Sequence, residues 1–312
     1  MSVASPSDLA GKRVLVTGAS GFTGRYMTAE LRSQQCHVIA LGARNAGGGC
    51  DADESVEADL RDAAALAAAV DSAGADIVVH LAALAFVGHG RVEDFYHVNL
   101  LGTRHLLAAL EQAARPPQRI LLASSANVYG NSAEGMLDER AAVAPANDYA
   151  VSKLAMEHVA GLWQGRLPIV VARPFNYTGV GQAEQFLVPK IVAHFARRAP
   201  VLELGNLDVS RDFGDVRAVV NAYRRLLQAP DAAGRTVNVC SGRGHSLAQI
   251  VALCERLTGH TLEIRVNPAF VRANEVKVLL GDNRRLLDLI GDWESPPLER
   301  TLAWMLAAAA AQ

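Results

Sequence analysis

Tyr149 and Lys153 stand four residues apart in Tyr149-Ala-Val-Ser-Lys153, one turn apart on one face of a helix. A free tyrosine has a pKa of about 10 and is a poor acid or base near neutrality. A nearby ammonium favours the phenolate, and so does the positive end of a helix. Asn147 or Asp148 can cap such a helix. The expectation is a proton-transfer group in which Lys153 brings the Tyr149 pKa toward working pH. The spacing is common by chance, and on a surface helix it carries no chemistry. Its meaning rests on the elements that must position it.

Arg13-Val-Leu-Val-Thr17 has the apolar run of a buried parallel strand. It leads into Gly18-Ala-Ser20-Gly21-Phe22-Thr23-Gly24 and a helical stretch from Arg25 to Ser33. Strand, glycine-rich turn and helix form the opening of a dinucleotide-binding unit. Gly18 permits the tight turn. Gly21 lets the backbone approach a pyrophosphate, and Gly24 lets helix and strand pack closely. The helix N-terminus then faces the phosphates. After the second strand, His37-Val-Ile-Ala-Leu41, an NAD site carries an acidic residue for the ribose 2′-hydroxyl. Here the chain reads Gly42-Ala-Arg44-Asn45, and Arg44 suits a 2′-phosphate, so NADP is favoured over NAD.

Val56-Glu-Ala-Asp59-Leu60 reads as the third strand and its end, with Asp59 meeting an adenine amino group or capping the next helix. Asp76-Ile-Val-Val-His80-Leu81-Ala82-Ala83 is the fourth strand, whose end would border the nicotinamide ribose. A long helix is expected from Phe95 to Ala114, carrying Asn99 and Gly102. Arg119-Ile-Leu-Leu-Ala-Ser124-Ser125 is a fifth strand ending in hydroxyls, and residues 168–173 form a sixth, followed by Pro174. Such alternation predicts an α/β fold, a Rossmann-like doubly wound parallel sheet with helices on both faces. Shorter, less regular elements follow and predict a smaller C-terminal lobe. The expected division is 1–174 plus 213–241 against 175–212 plus 242–312.

Of 312 residues, half are hydrophobic and a fifth charged, with a net charge of −2, which gives no global basic field for nucleic acid. Cys36, Cys50, Cys240 and Cys254 are widely spaced and indicate neither a zinc site nor a redox dithiol, and no metal is expected. The N-terminal residues lack the pattern of a secretory signal, and no apolar run reaches the roughly 20 residues of a membrane span. The cytoplasm is the expected location.

Ser125, Tyr149 and Lys153, downstream of Thr17-Gly-x-x-Gly-x-x-Gly24, resemble the extended short-chain dehydrogenase/reductase family over nearly the whole chain. The resemblance implies that Tyr149 is the general acid/base and that Lys153 holds the nicotinamide ribose and lowers the Tyr149 pKa. Ser125 would orient the substrate oxygen; the match Ser125-Ala-Asn-Val-Tyr129-Gly130 selects it over Ser124. The implied cofactor contacts are residues 18 and 20–24, Arg44, Asp59, Leu60, Leu81, Ala82, Ala83, Asn99, Lys153 and Pro174. The chemistry agrees independently, because hydride delivery to a carbonyl leaves an alkoxide that needs a hydrogen bond and then a proton.

Gly205-Asn-Leu-Asp208-Val-Ser-Arg211-Asp212-Phe-Gly is similar to a segment of the GDP-mannose 4,6-dehydratase and GDP-4-keto-6-deoxy-mannose reductase families. So are Arg173-Pro-Phe-Asn176, Val188-Pro-Lys190 and Val271-Arg272-Ala273-Asn-Glu275-Val. By that resemblance Arg211 and Arg272 grip a diphosphate, Glu275 holds a ribose hydroxyl and Asn176 holds the phosphate or sugar. Lys190 and Asn127 join them on the substrate side. Ala273 stands where the usual residue is Pro. The dehydratases need a carboxylate at the position of Asn127, and the epimerase/reductases of GDP-fucose synthesis use a Cys there. An amide serves neither role. The expected reaction is therefore NAD(P)H-dependent reduction of the 4-keto group of a GDP-linked 4-keto-6-deoxy hexose or heptose. The alternative is a C4-epimerase of a nucleotide sugar with tightly bound NAD. A homodimer is expected by analogy, through the helices at 95–114 and 149–163.

Overall fold

The computed structural model describes residues 8–42, 50–86, 91–130, 135–270 and 277–311. Seven short strands form one sheet: β1 Arg13–Thr17, β2 His37–Gly42, β3 Glu54–Glu57, β4 Ile77–His80, β5 Arg119–Ala123, β6 Ile169–Pro174 and β7 Thr236–Val239. Across the sheet they run β7-β6-β5-β4-β1-β2-β3, all in parallel. The order turns back at β1, which opens a crevice at the carboxyl ends of β1 and β4.

Alternation along each strand divides its side chains between two cores. Val14 and Val16 pack with Met27 and Leu31 of helix Phe22–Ser33 and with Tyr223 and Leu226 of helix Val216–Gln228. Leu15 packs on the other face with Leu66, Leu107 and Met156, from helices Ala63–Ala73, Thr103–Gln112 and Asp148–Gly161. Both faces of the inner strands are covered, which is why β1, β2, β4 and β5 are apolar at most positions while the edge strand β3 is not. Each fully buried Val or Leu contributes about 1.5–3 kcal/mol.

Two expected elements differ. The third strand ends at Glu57, because Asp59 turns back to bind Arg61 instead of extending the ladder. The helix expected over 95–114 is helical from Val92 to Gln112, but Tyr96–Gly102 is a π-helical segment. A Cβ on Gly102 would lie 2.9 Å from Leu60 Cβ, so this segment sits hard against the residues after β3. π-segments recur at functional sites, and this one carries Asn99.

In the second unit, strand Ser210–Asp215 pairs with Gly244–Ser246, Val278–Gly281 and Asn176–Thr178. Its core draws on helices Leu187–Ala196, Leu247–Thr258 and Leu298–Ala310. The expected division of the chain is crossed in both directions. Gly135–Leu137 supplies an edge strand to Val278–Gly281, while Leu286 of helix Arg284–Ile290 enters the large-sheet core. Ladder pairing and apolar burial recruit whichever segment reaches the open edge, regardless of chain position. Among the described residues no helix is long and apolar enough to cross a membrane.

Candidate active site

The glycine turn lies at the crevice between β1 and β4. Gly18 has φ +70, and a Cβ on it would lie 2.8 Å from the backbone nitrogen of Ala82. A Cβ on Gly24 would lie 2.0 Å from the Gly18 carbonyl oxygen and 2.6 Å from Ala19 Cα. These two glycines hold strand, turn and helix in contact. Gly21 is the helix N-cap and no side chain caps that end, so the first-turn N–H groups point out as an anion site. The side chains of Phe22 and Thr23 turn away from it. Thr23 Oγ1 is 2.8 Å from the Tyr177 hydroxyl, and the Phe22 ring stacks on Tyr177 at 6.2 Å. Only their backbone is left for a phosphate.

Beside this helix end is a cavity of about 330 Å³ lined by Gly18, Ser20, Gly42, Asp59, Leu60 and Ala82, among others. Its volume and its place beside the glycine turn give room for a nucleoside. Asp59 does not cap the next helix, a task done by Asp62 through the N–H groups of Ala64 and Ala65. The Asp59 carboxylate is held below its usual range by Arg61, whose guanidinium reaches it at 2.6 Å. Leu81, Ala82 and Ala83 leave β4 beside Gly18, and the Ala82 N–H donates to Thr17 Oγ1 at 3.1 Å. Pro174 ends β6, opposite Val239. Arg44 lies outside the described residues.

Ser125, Tyr149 and Lys153 come together in a nearly dry pocket, 8 %, 8 % and 4 % exposed. Ser125 follows β5; its hydroxyl accepts the Asn127 N–H at 3.1 Å and lies close enough to Tyr149 to favour its ionised form. Asn147 caps the helix Asp148–Gly161, and Asp148 accepts from the Tyr96 hydroxyl at 2.7 Å. Lys153 Nζ donates to the Ala123 carbonyl at 2.8 Å. The expected lowering of the Tyr149 pKa is not what this arrangement gives. Burial pushes it up to about 12, against the opposing pull of the Ser125 hydrogen bond. Burial also pushes Lys153 down to about 8, with Glu157 working the other way.

Two polar networks that the sequence reading missed brace this pocket. Glu157 lies one turn beyond Lys153. It binds Arg173 at 2.6 and 2.9 Å and accepts the Ser124 hydroxyl at 2.5 Å. Arg173 continues to the Tyr129 hydroxyl at 3.0 Å, and Tyr129 to Asn238 at 2.7 Å. The Tyr149–Lys153–Glu157 repeat of four was the available signal. The second network runs along β1 and β4. His80 lies between Thr17 Oγ1 at 2.7 Å and Thr103 Oγ1 at 2.8 Å, and Thr103 donates to the Asn99 carbonyl. Because Thr103 donates onward, Nε2 of His80 carries the proton and Nδ1 accepts from Thr17. Asn99 was expected to touch cofactor. In this structure its amide binds both backbone groups of Leu84, at 2.9 and 3.1 Å, and donates to Ser152 at 3.0 Å. Both Nδ2 protons are thus taken, and Asn99 ties Leu84, after β4, to the helix Asp148–Gly161.

On the substrate side, Asn127 is exposed two residues after Ser125. Asn176 Nδ2 donates to the Asp212 carbonyl at 3.3 Å, which brings it beside Arg211. Arg211 donates to the carbonyls of Ser210 and Lys277 at 2.9 and 3.3 Å. Lys190 donates to the Glu203 carbonyl at 2.9 Å and lies 4.5 Å from the centre of the Phe270 ring. Arg272 and Glu275 lie outside the described residues.

The model of the NAD dependent epimerase/dehydratase family matches residues 14–240. The chain belongs to that family. It is 34% identical over 280 residues to GDP-6-deoxy-D-talose 4-dehydrogenase of Aggregatibacter actinomycetemcomitans, covering 90% of this chain and 92% of the other. It is 35% identical over 298 residues to GDP-6-deoxy-D-mannose reductase of Pseudomonas aeruginosa, covering 90% and 91%. A crystal structure from Burkholderia cenocepacia J2315, of a protein provisionally named an epimerase, superposes with a TM-score of 0.91 at 50% identity, covering 97% of this chain and 100% of the other. The structure of RMD from Pseudomonas aeruginosa complexed with NADPH gives 0.83 at 31%, covering 96% and 100%. The protein is an NAD(P)-dependent enzyme of the extended short-chain dehydrogenase/reductase type that modifies nucleotide sugars.

Proposed function

We propose that this enzyme reduces the 4-keto group of a GDP-linked 4-keto-6-deoxy sugar, with NADPH favoured as reductant. Bound reduced nicotinamide supplies the hydride chemistry. Tyr149 holds the proton that the C4 oxygen takes up as its carbonyl becomes an alcohol. Ser125 donates a hydrogen bond to the same oxygen. Lys153 holds the nicotinamide ribose, and residues 18–24 hold the pyrophosphate. Arg211 and Asn176 hold the diphosphate and sugar, and residues 175–212 and 242–312 supply most of the substrate lobe. Burial that keeps the Tyr149 hydroxyl protonated suits this direction, in which it must give a proton.

The observation that carries the reading is residue 127. At the end of β5, where dehydration needs a carboxylate, this chain has an exposed Asn. Glu157 does not replace that base, because Arg173 and Ser124 bind its carboxylate. A C4-epimerase is the second reading, favoured by the Ser125–Tyr149 pair, which suits withdrawal of a hydroxyl proton as well as its return. The test is incubation with GDP-4-keto-6-deoxy-mannose and NADPH. Loss of the NADPH absorbance with formation of a GDP-6-deoxyhexose is expected. A constant absorbance with conversion of a nucleotide hexose to its C4 epimer would overturn reduction in favour of epimerisation.

A further inference from the structure

We infer that Glu157 is a positioning residue of this enzyme: clamped by Arg173 and Ser124, its carboxylate keeps Lys153 charged through the upper part of the working pH range, and with it the grip on reduced cofactor. The inference rests on Lys153 holding the nicotinamide ribose, as read above, and is independent of which sugar is reduced.

Lys153 and Glu157 stand four residues apart on the helix Asp148–Gly161, so their Cβ atoms lie about 5–6 Å apart on one face. Both side chains are tied to consecutive residues at the end of β5. Lys153 Nζ donates to the Ala123 carbonyl at 2.8 Å, and the Ser124 hydroxyl donates to Glu157 Oε1 at 2.5 Å. An ammonium and a carboxylate are thereby held side by side at the strand end. Arg173 fixes the carboxylate from β6, reaching Oε1 through Nε at 2.9 Å and Oε2 through Nη2 at 2.6 Å. Arg173 is itself held by the Tyr129 hydroxyl at 3.0 Å and by the Tyr129 ring, whose centre is 5.0 Å from the guanidinium carbon. Tyr129 is bound in turn to Asn238 of β7 at 2.7 Å. With both oxygens occupied, Glu157 acts on Lys153 through its field.

A buried ion pair adds little net stability over apolar residues of similar size, so joining a helix to a strand does not by itself account for one here. What sets this pair apart is its place one turn from Lys153, in surroundings that are nearly dry. The side chains of Arg173 and Glu157 are 8 % and 9 % exposed, and Lys153 is buried beside them. Charges with so little water around them are felt strongly. Burial lowers Lys153 to about 8, and Glu157 opposes that fall. The other groups around Lys153 give it no such support. Burial keeps His80 of β4 neutral and Tyr149, on the same helix face, protonated. Arg173 of β6 is a cation whose charge is taken up by Glu157. Without the Glu157 charge, Lys153 sheds its proton at a lower pH and the ribose loses its ammonium partner there.

The test is the NADPH affinity of the full chain from pH 6 to 10, by fluorescence titration, with thermal melts alongside. In the wild type the affinity should decline with a midpoint at about 8. Glu157→Gln keeps the shape and removes the charge, and its midpoint should lie about one pH unit lower. Glu157→Asp keeps the charge and should retain the wild-type midpoint. A pair that only stabilises the fold would give lower melting temperatures with the midpoint unmoved, and that result overturns the inference. So does a midpoint in Glu157→Asp as low as in Glu157→Gln. Should Glu157→Gln not fold, the double variant Glu157→Gln/Arg173→Met, which leaves neither charge alone, decides. A midpoint below that of the wild type supports the inference, and an unchanged or higher one overturns it. A decline that survives in Lys153→Arg overturns the reading of Lys153 itself, a result distinct from the others.

Discussion

The Ser124 hydroxyl donates to Glu157 at 2.5 Å, and Glu157 is pinned in turn by Arg173. Of two adjacent serines at the end of β5, one is thereby tied down and the other is presented to Tyr149. Ser125→Ala should lower kcat by about 100-fold or more, within the range of acid–base and hydrogen-bonding contributions. Ser124→Ala should leave kcat within a few-fold but cost about 1.5–3 kcal/mol of stability, as for a hydrogen bond to a charged group. Steady-state kinetics and chemical denaturation of the two variants check this. A larger kcat loss in Ser124→Ala would reverse the assignment.

Tyr149→Phe keeps the ring and removes the proton donor. Turnover should fall by about 100- to 10,000-fold with NADPH affinity unchanged. Stopped-flow NADPH oxidation alongside fluorescence titration separates the two, and near-normal turnover would remove Tyr149 from the reaction.

Lys153 titrates at about 8 in the fold, below its ordinary 10.5, so it carries its charge at neutral pH and sheds it as pH rises through 8. NADPH affinity should therefore decline above pH 8. In Lys153→Arg that decline should vanish, since a guanidinium stays charged, even though kcat falls. The measurement is NADPH affinity from pH 6 to 10.

Burial holds His80 neutral, with its pKa lowered from 6.5 to about 3. Between those values the unfolded chain binds the proton and the folded chain does not, so stability rises with pH there. The contribution is complete above pH 6.5 and is lost as pH falls toward 3. Denaturation midpoints of wild type and His80→Gln should converge through that window. Parallel curves would show that His80 does not titrate there.

Gly24→Ala should lower NADPH affinity and thermal stability together, because the new Cβ meets the Gly18 carbonyl oxygen at 2.0 Å. Gly161→Ala is the control. Its Cβ meets nothing within 4 Å, and it should gain up to about 1 kcal/mol. Thermal melts and NADPH titration of both variants test the contrast.

Much of the fold was legible because burial on two faces writes itself as unbroken apolar strands, as in residues 13–17 and 77–79. The glycine turn was legible because few residues tolerate a φ of +70 or so close a backbone approach. The third strand was misplaced because residues 54–60 alternate polar and apolar side chains past the strand's end, and local bonding between Asp59 and Arg61 outweighed strand propensity. Spacing singled out Tyr149 and Lys153, the resemblance added Ser125, and the fold brings the three side chains into one buried pocket. The contacts of Glu157, Arg173, His80 and Tyr177 were not legible because their partners are remote in sequence, such as Arg173 for Glu157 or Thr23 for Tyr177. Asn99 was singled out by the resemblance, and its contacts with Leu84 and Ser152 were not foreseen. A helix position alone does not say whether an amide faces a ligand or a loop backbone.

The hydrogen-bonded run from Ala82 through Thr17, His80 and Thr103 to Asn99 has a fixed direction, and both of its ends are backbone groups. A proton wire needs terminal groups that take up and release protons at accessible pH. An amide N–H and a peptide carbonyl do neither. For all its resemblance to a relay, this imidazole is masonry. Its work is to fix the ends of β1 and β4 against the helix that carries Asn99.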